Sequence, residues 1–287
     1  MNRSKLVLPV AIGLLGSIVG IAAALPNPYT RNPTDDEMIF GTSGLADTGN
    51  ASGAGPGLFA GADGSLNIKR SLILFDPSAL GSVTVTTAHL DLWIGQIAGT
   101  GGGGGGGGGC GMGCTYPTRN FAIYPSTTAW HEGHVGNTAC SGSPCNSMGG
   151  TGQGWSYTTC APSSSSPCLH DATWKYFDWT GTANTDEWMH ATTDQDYGYG
   201  SQGTAMATVT VSAPFMVGDL VEFTGTTTTN PDFRTTAQNW AAGTGNLGLE
   251  LRSTNLEGSQ ASFLAFWSKD GAAAAGNGLS PVLSIAY

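Results

Sequence analysis

Charge is scarce in this chain of 287 residues, with Lys, Arg, Asp and Glu making up only 10% of it. Helices of soluble proteins usually carry Glu, Lys and Arg on their wet face, so this composition argues against a helical architecture. No long amphipathic helix is visible, and no internal repeat. Basic residues are fewer than acidic ones, 10 against 20. A surface with that balance repels phosphate, which makes nucleic acid and anionic membrane poor partners. After Ala24 no apolar run is long enough to cross a bilayer as a helix. The chain has no Gly-x-Ser-x-Gly nucleophile elbow, no EF-hand loop and no CxxC spacing for zinc.

The N-terminus has an export layout. Arg3 and Lys5 precede an apolar stretch from Leu6 to Ala24, which ends in Ala22-Ala23-Ala24 before Leu25-Pro26. A positive start, an apolar run and small residues at the exit predict a signal peptide over 1–24. An uncleaved anchor is the competing reading, and the three alanines favour cleavage. The mature chain is then expected outside the cell, secreted or at the cell surface, with no remaining membrane span.

Six cysteines, Cys110, Cys114, Cys140, Cys145, Cys160 and Cys168, fall in one short region. In an exported protein an even count suggests disulfides. Pairing between near neighbours (110 with 114, 140 with 145, 160 with 168) is the first expectation, since each pair flanks a Gly-, Ser- or Pro-rich turn. Nine consecutive glycines, Gly101 to Gly109, lie just before them. Such a run is costly to order and supplies no side chain to a core, so a loop insertion is expected over about 99–203.

Strand patterns fill most of the rest. Ile68 to Asp76 has a continuous apolar centre. Leu90, Leu92 and Ile94 alternate with His89, Asp91 and Trp93. Shorter signals occur at Met38–Phe40, Leu58–Ala60, Phe121–Tyr124, Ala207–Ser212, Phe215–Phe223, Leu247–Leu251, Phe263–Ser268 and Leu283–Tyr287. A short helix is expected over Thr235–Ala242. Residues 25–37 hold three prolines and are expected as an extended arm ahead of a single β-sandwich domain over 38–287.

The order of these segments resembles the DNRLRE domain family. Ile68-Lys69-Arg70-Ser71-Leu72-Ile73-Leu74-Phe75-Asp76, then Val85-Thr86-Thr87-Ala88-His89-Leu90-Asp91-Leu92, is similar to its opening block. Trp130-His131-Glu132 resembles its Trp-x-Glu element. Trp240 with Asn246-Leu247-Gly248-Leu249-Glu250-Leu251, and Phe266-Trp267-Ser268-Lys269 with Ser280 to Tyr287, resemble its later blocks. The resemblance implies an all-β, antiparallel, jelly-roll-like sandwich, exported and related to carbohydrate-binding modules. A Cys-rich stretch follows Glu132 in place of the family's usual continuation, and no catalytic domain accompanies the module.

Two functions compete. The low charge, Gly/Thr-rich texture and local cysteine pairs suit a non-catalytic structural protein that assembles with copies of itself into a surface filament, sheath or layer. The proline-spaced arm is then a segment able to add to a neighbour's sheet edge. The alternative is recognition of a cell-surface polysaccharide by Trp155, Trp174, Tyr176, Trp179 and Trp188, whose rings can stack on sugar faces. Calcium fits oxygen-rich loops of this architecture, with Asp35, Asp36 and Asp47 as candidate ligands. His131-Glu132-Gly133-His134 lacks the i, i+4 histidine spacing of a zinc protease, so Trp130 and Glu132 are expected to be structural.

Overall fold

A computed structural model of the chain describes residues 25–41, 50–52, 55, 57–62, 68–97, 117–132, 158–159, 172, 204–255, 257 and 263–287. It is an all-β, antiparallel, sandwich-like fold made from one curled sheet. The strands are β1 (Tyr29–Arg31), β2 (Asp35–Gly41), β3 (Asn50–Ser52), β4 (Gly57–Ala62), β5 (Ile68–Leu74), β6 (Thr87–Ile97) and β7 (Arg119–Pro125). They continue with β8 (Thr158–Thr159), β9 (Ala207–Val211), β10 (Leu220–Gly225), β11 (Leu249–Ser253), β12 (Leu264–Trp267) and β13 (Val282–Ala286). A short 3-10 helix at Ser78–Leu80 and two α-helices, α1 (Pro231–Ala241) and α2 (Lys269–Ala275), complete the described elements.

One face of the sandwich centres on β6. β10 pairs along one edge of β6, and β13 along the opposite edge. β12 continues that opposite edge where β13 ends, and β1 closes the far side of β13. The other face runs β9-β7-β11-β5-β2-β3-β8. The alternation in β6 is realised: Leu90, Leu92 and Ile94 are fully buried in the core, while His89, Asp91 and Trp93 are partly exposed. In β5 both faces are covered, which explains its unbroken apolar centre. Ile73 enters the main core, and Leu72 packs on the opposite side with Ile39, Trp130 and Ala172.

The two faces share one core. Leu249, Leu251, Phe121 and Ile123 come from one side and Leu90, Phe223, Leu264 and Leu283 from the other. Phe121 meets Phe266 edge-on, with ring centroids 5.7 Å apart. Helix α1 closes one end of it. Phe233, Ala237, Trp240 and Ala241 have the spacing of one helix face, and all four are buried. Arg234 donates to the Val85 carbonyl at 3.0 Å, and the Gln238 side chain accepts from the Val85 N–H at 3.3 Å. Both backbone groups of Val85, just ahead of β6, are thereby satisfied by the helix.

Two expectations change. Residues 25–37 are not a free arm, since Tyr29–Arg31 pairs with β13 and Asp35–Gly41 with β5. Tyr29 is the reason for the first pairing: its ring is an apolar anchor that is 2% exposed within the core. The span 99–203 is not one excursion either, because β7 lies inside it and pairs with both β11 and β9.

Strand β4 joins the two faces. Residues Gly57 to Ala60 pair with β12, whereas Gly61 and Ala62 pair with β5. The bend falls at Gly61, whose φ is 127°, and an added Cβ there would stand 2.7 Å from the Phe263 Cα. Only glycine fits that backbone and that approach. Gly61→Ala is therefore expected to lower stability by about 1–3 kcal/mol in urea unfolding.

Candidate functional site

The Trp-x-Glu element forms a structural joint. Trp130 is buried, and its indole N–H donates to the Leu247 carbonyl at 3.0 Å. Gly248, at φ 86°, leaves room for this ring: a Cβ there would lie 3.1 Å from the indole nitrogen. Two residues on, Glu132 Oε2 accepts from Lys269 Nζ at 2.6 Å, and the same ammonium donates to the Thr34 carbonyl at 2.9 Å. Asp36 lies beside them and accepts from the Lys269 backbone N–H at 2.6 Å. That N–H opens α2, where Ser268 caps the helix by accepting from Gly271 N–H at 2.9 Å. A carboxyl at a helix start is favoured by the free N–H groups and the dipole.

Electrostatically this joint is closed. Asp36 has no exposed surface, and burial pushes its pKa up to about 8 against the Lys269 N–H that draws it down. Burial likewise raises Glu132, opposed by the hydrogen bond from Lys269. Burial works against the charge of Lys269, yet Glu132 and the neighbouring acids carry its pKa up. The arrangement ties β2, the segment after β7 and α2 together. It does not present Asp36 to a solute.

A second charged group lies on the far side of β5 and β11. Arg70 grips Glu257 with two hydrogen bonds, Nε to Oε1 at 3.1 Å and Nη2 to Oε2 at 2.7 Å. Its third nitrogen stands 3.7 Å from Glu250 Oε1. Arg252 donates to the other oxygen of Glu250 at 2.7 Å and lies 4.6 Å over the Tyr124 ring. Burial pushes the Glu250 pKa up, and the two guanidiniums oppose it. Planar, doubly bonded arginine pairs of this kind fix geometry as well as charge.

The described surface has one apolar prominence. Met216, Val217 and Leu220 are 68%, 53% and 48% exposed. They sit on a tight turn, in which Met216 N–H donates to Asp219 Oδ2 at 2.6 Å and Asp219 N–H to the Met216 carbonyl at 3.1 Å. Gly218 N–H donates to the Ile94 carbonyl at 2.7 Å, and Ile94 N–H to the Asp219 carbonyl at 2.9 Å. Phe215 is buried under the turn, with the Arg119 guanidinium 4.9 Å from its ring centroid. The apolar tip is thus held rigidly on β6.

Trp155, Trp174, Tyr176, Trp179, Trp188, Asp47, all six cysteines and residues 1–24 lie outside the described residues. Asp35 and Asp36 are described. They are consecutive in β2, so their side chains leave opposite faces. Among the described residues, no group of three or more His, Cys, Asp or Glu is placed to hold a metal ion, and no helix is long and apolar enough to cross a membrane. Nothing in the sequence joins Lys269, Arg70, Glu250 and Arg252 to their partners. For Arg70, Glu250 and Arg252 the available signal is charge inside strands rich in Leu and Ile. No family model matches the chain, and no curated protein matches it.

These joints lead to two expected outcomes. Asp36 has its pKa raised from the ordinary 3.8 to about 8, so its stabilising contribution is complete below the lower value and is lost as pH rises through the upper one. Asp36→Asn is expected to gain on the wild type from pH 4 to pH 8 by at most ~1.4 kcal/mol per pH unit. Urea unfolding of both proteins along that range is the check; a constant difference contradicts it. Arg70→Ala leaves Glu250 and Glu257 short of their partner and is expected to cost about 3–5 kcal/mol in the same assay.

Proposed function

We propose that this chain is a non-catalytic structural protein of the extracellular surface, one that associates with copies of itself. The observation that carries the reading is the braced turn at 216–220. Single exposed apolar residues are ordinary, but three within five positions, held on hydrogen bonds to the central strand, favour a contact surface. The internal use of Asp36, Glu132 and Glu250, each tied to a lysine, an arginine or a helix start, is consistent with a scaffold. The export layout of residues 1–24 supports a position outside the cell.

The test is the size of the exported protein in sedimentation across a wide concentration range. Growth with concentration is expected, and Met216→Ser with Val217→Ser should weaken it about tenfold, the effect of losing ~1.4 kcal/mol of apolar contact. Both positions are exposed, so folding should be unchanged. A protein that stays monomeric at every concentration overturns the reading.

A further inference from the structure

We propose that residues 25–31 exchange between copies, so that the first strand of one molecule occupies the edge of β13 in another. This rests on the reading of the chain as a self-associating structural protein, and it names the connecting element. In the structure this segment lies on its own β13, with Tyr29 opposite Ile285, Thr30 opposite Ser284 and Arg31 opposite Leu283. Its hydrogen bonds beyond the strand go to the same place, while the charge of Arg31 also reaches Asp76. The Asn27 amide donates to the Tyr287 carbonyl, and the Tyr287 hydroxyl donates to the Leu25 carbonyl at 3.0 Å. Tyr29 fills a seat in the main core, and Arg31 stacks on the Tyr29 ring at 4.2 Å, so it travels with the segment.

The segment is separable from the rest of the chain. By Thr34 the backbone has already passed to the other face, where the Thr34 N–H donates to the Leu74 carbonyl at 2.8 Å. Only Asn32 and Pro33 lie between the two attachments. Proline fixes its own φ and holds the preceding residue extended. A two-residue link of this kind is short and stiff, and such hinges promote exchange. The occupant is also specified. Without β1, the backbone groups of Leu283 to Ile285 and the Tyr29 seat are bare, and the same sequence from a second copy fits both. Reciprocal exchange closes a dimer, and one-way exchange propagates a chain of molecules.

Thr30 and Ser284 face each other away from the core, Thr30 exposed and Ser284 partly so. Thr30→Cys and Ser284→Cys, placed on separate full-length chains and co-expressed, should give a disulfide between copies under oxidation. The linked peptide is identified by mass spectrometry, which separates it from the six native cysteines. Both substitutions on one chain, oxidised before association, lock the seat within the molecule. That should reduce association at least tenfold, and reduction should restore it. Association that proceeds undiminished with the seat locked, or that yields no link between copies, overturns the exchange and leaves the structural reading standing. A monomer at all concentrations, with the link formed only within one chain, overturns both.

Discussion

Both faces of the sandwich depend on one strand that belongs to each of them. β4 leaves β12 at Ala60 and joins β5 at Gly61. The turn must be made without losing backbone hydrogen bonds in a region where water cannot replace them. A bend of this sort at a glycine is a common way for a sheet to pass from one layer to the next. Phe263 closes on Gly61 from the chain just before β12, and Phe59 meets Phe263 at 5.0 Å. The corner is therefore packed as well as bent. Once it is in place, β6 and β5 are held on opposite sides of the same core, into which Leu90, Leu92, Ile94 and Ile73 bury.

The charged residues of the described region reinforce that constraint from outside the core. The Asp36, Glu132 and Lys269 joint binds three segments remote in sequence, and the Arg70 group binds β5, β11 and the Glu257 loop. Buried ion pairs add little net stability over an apolar substitute, but losing one partner is costly. Their effect is thus selective: an arrangement with β5 shifted by one residue would turn Arg70 into the apolar core and Ile73 out of it. In a chain with so few charges, placing several of them in strand interiors ties register to electrostatics.

Much of the fold is legible because the strands keep their period. Leu90, Leu92 and Ile94 announce one buried face, and the unbroken run in β5 announces two. The helices are harder. The apolar pattern of α1 points to a start at Thr235, but the helix begins at Pro231 after Asn230, which sits in the left-handed region at φ 44°. Proline at the first helical position is a usable start signal. Helix α2 escapes a sequence reading because its run of alanines gives no amphipathic pattern. Its start is set by Ser268, and by an acid, Asp36, more than 230 positions away. The prolines of residues 25–37 suggest an arm, since nothing local shows that Tyr29 has a seat beside Ile285. The candidate site is less legible for the same reason. Trp130 and Glu132 can be marked as structural, but the partners of Arg70 and Asp36 are set by contacts far apart in sequence.

The edges of the sheet limit how such a protein can associate. Among the described edge strands, β1 has three residues and β8 has two, so each offers few backbone groups to another molecule, whereas β9 and β10 have five and six. Short edges disfavour indiscriminate growth by edge-to-edge pairing. Exchange of the first strand avoids that limit, because the strand is replaced by its equal and no new edge has to be found. The specificity then comes from one side chain, Tyr29, and from the spacing of Asn27 and Tyr287 around it. A stranger's strand could supply backbone hydrogen bonds to β13, but only a matching sequence also fills the core seat.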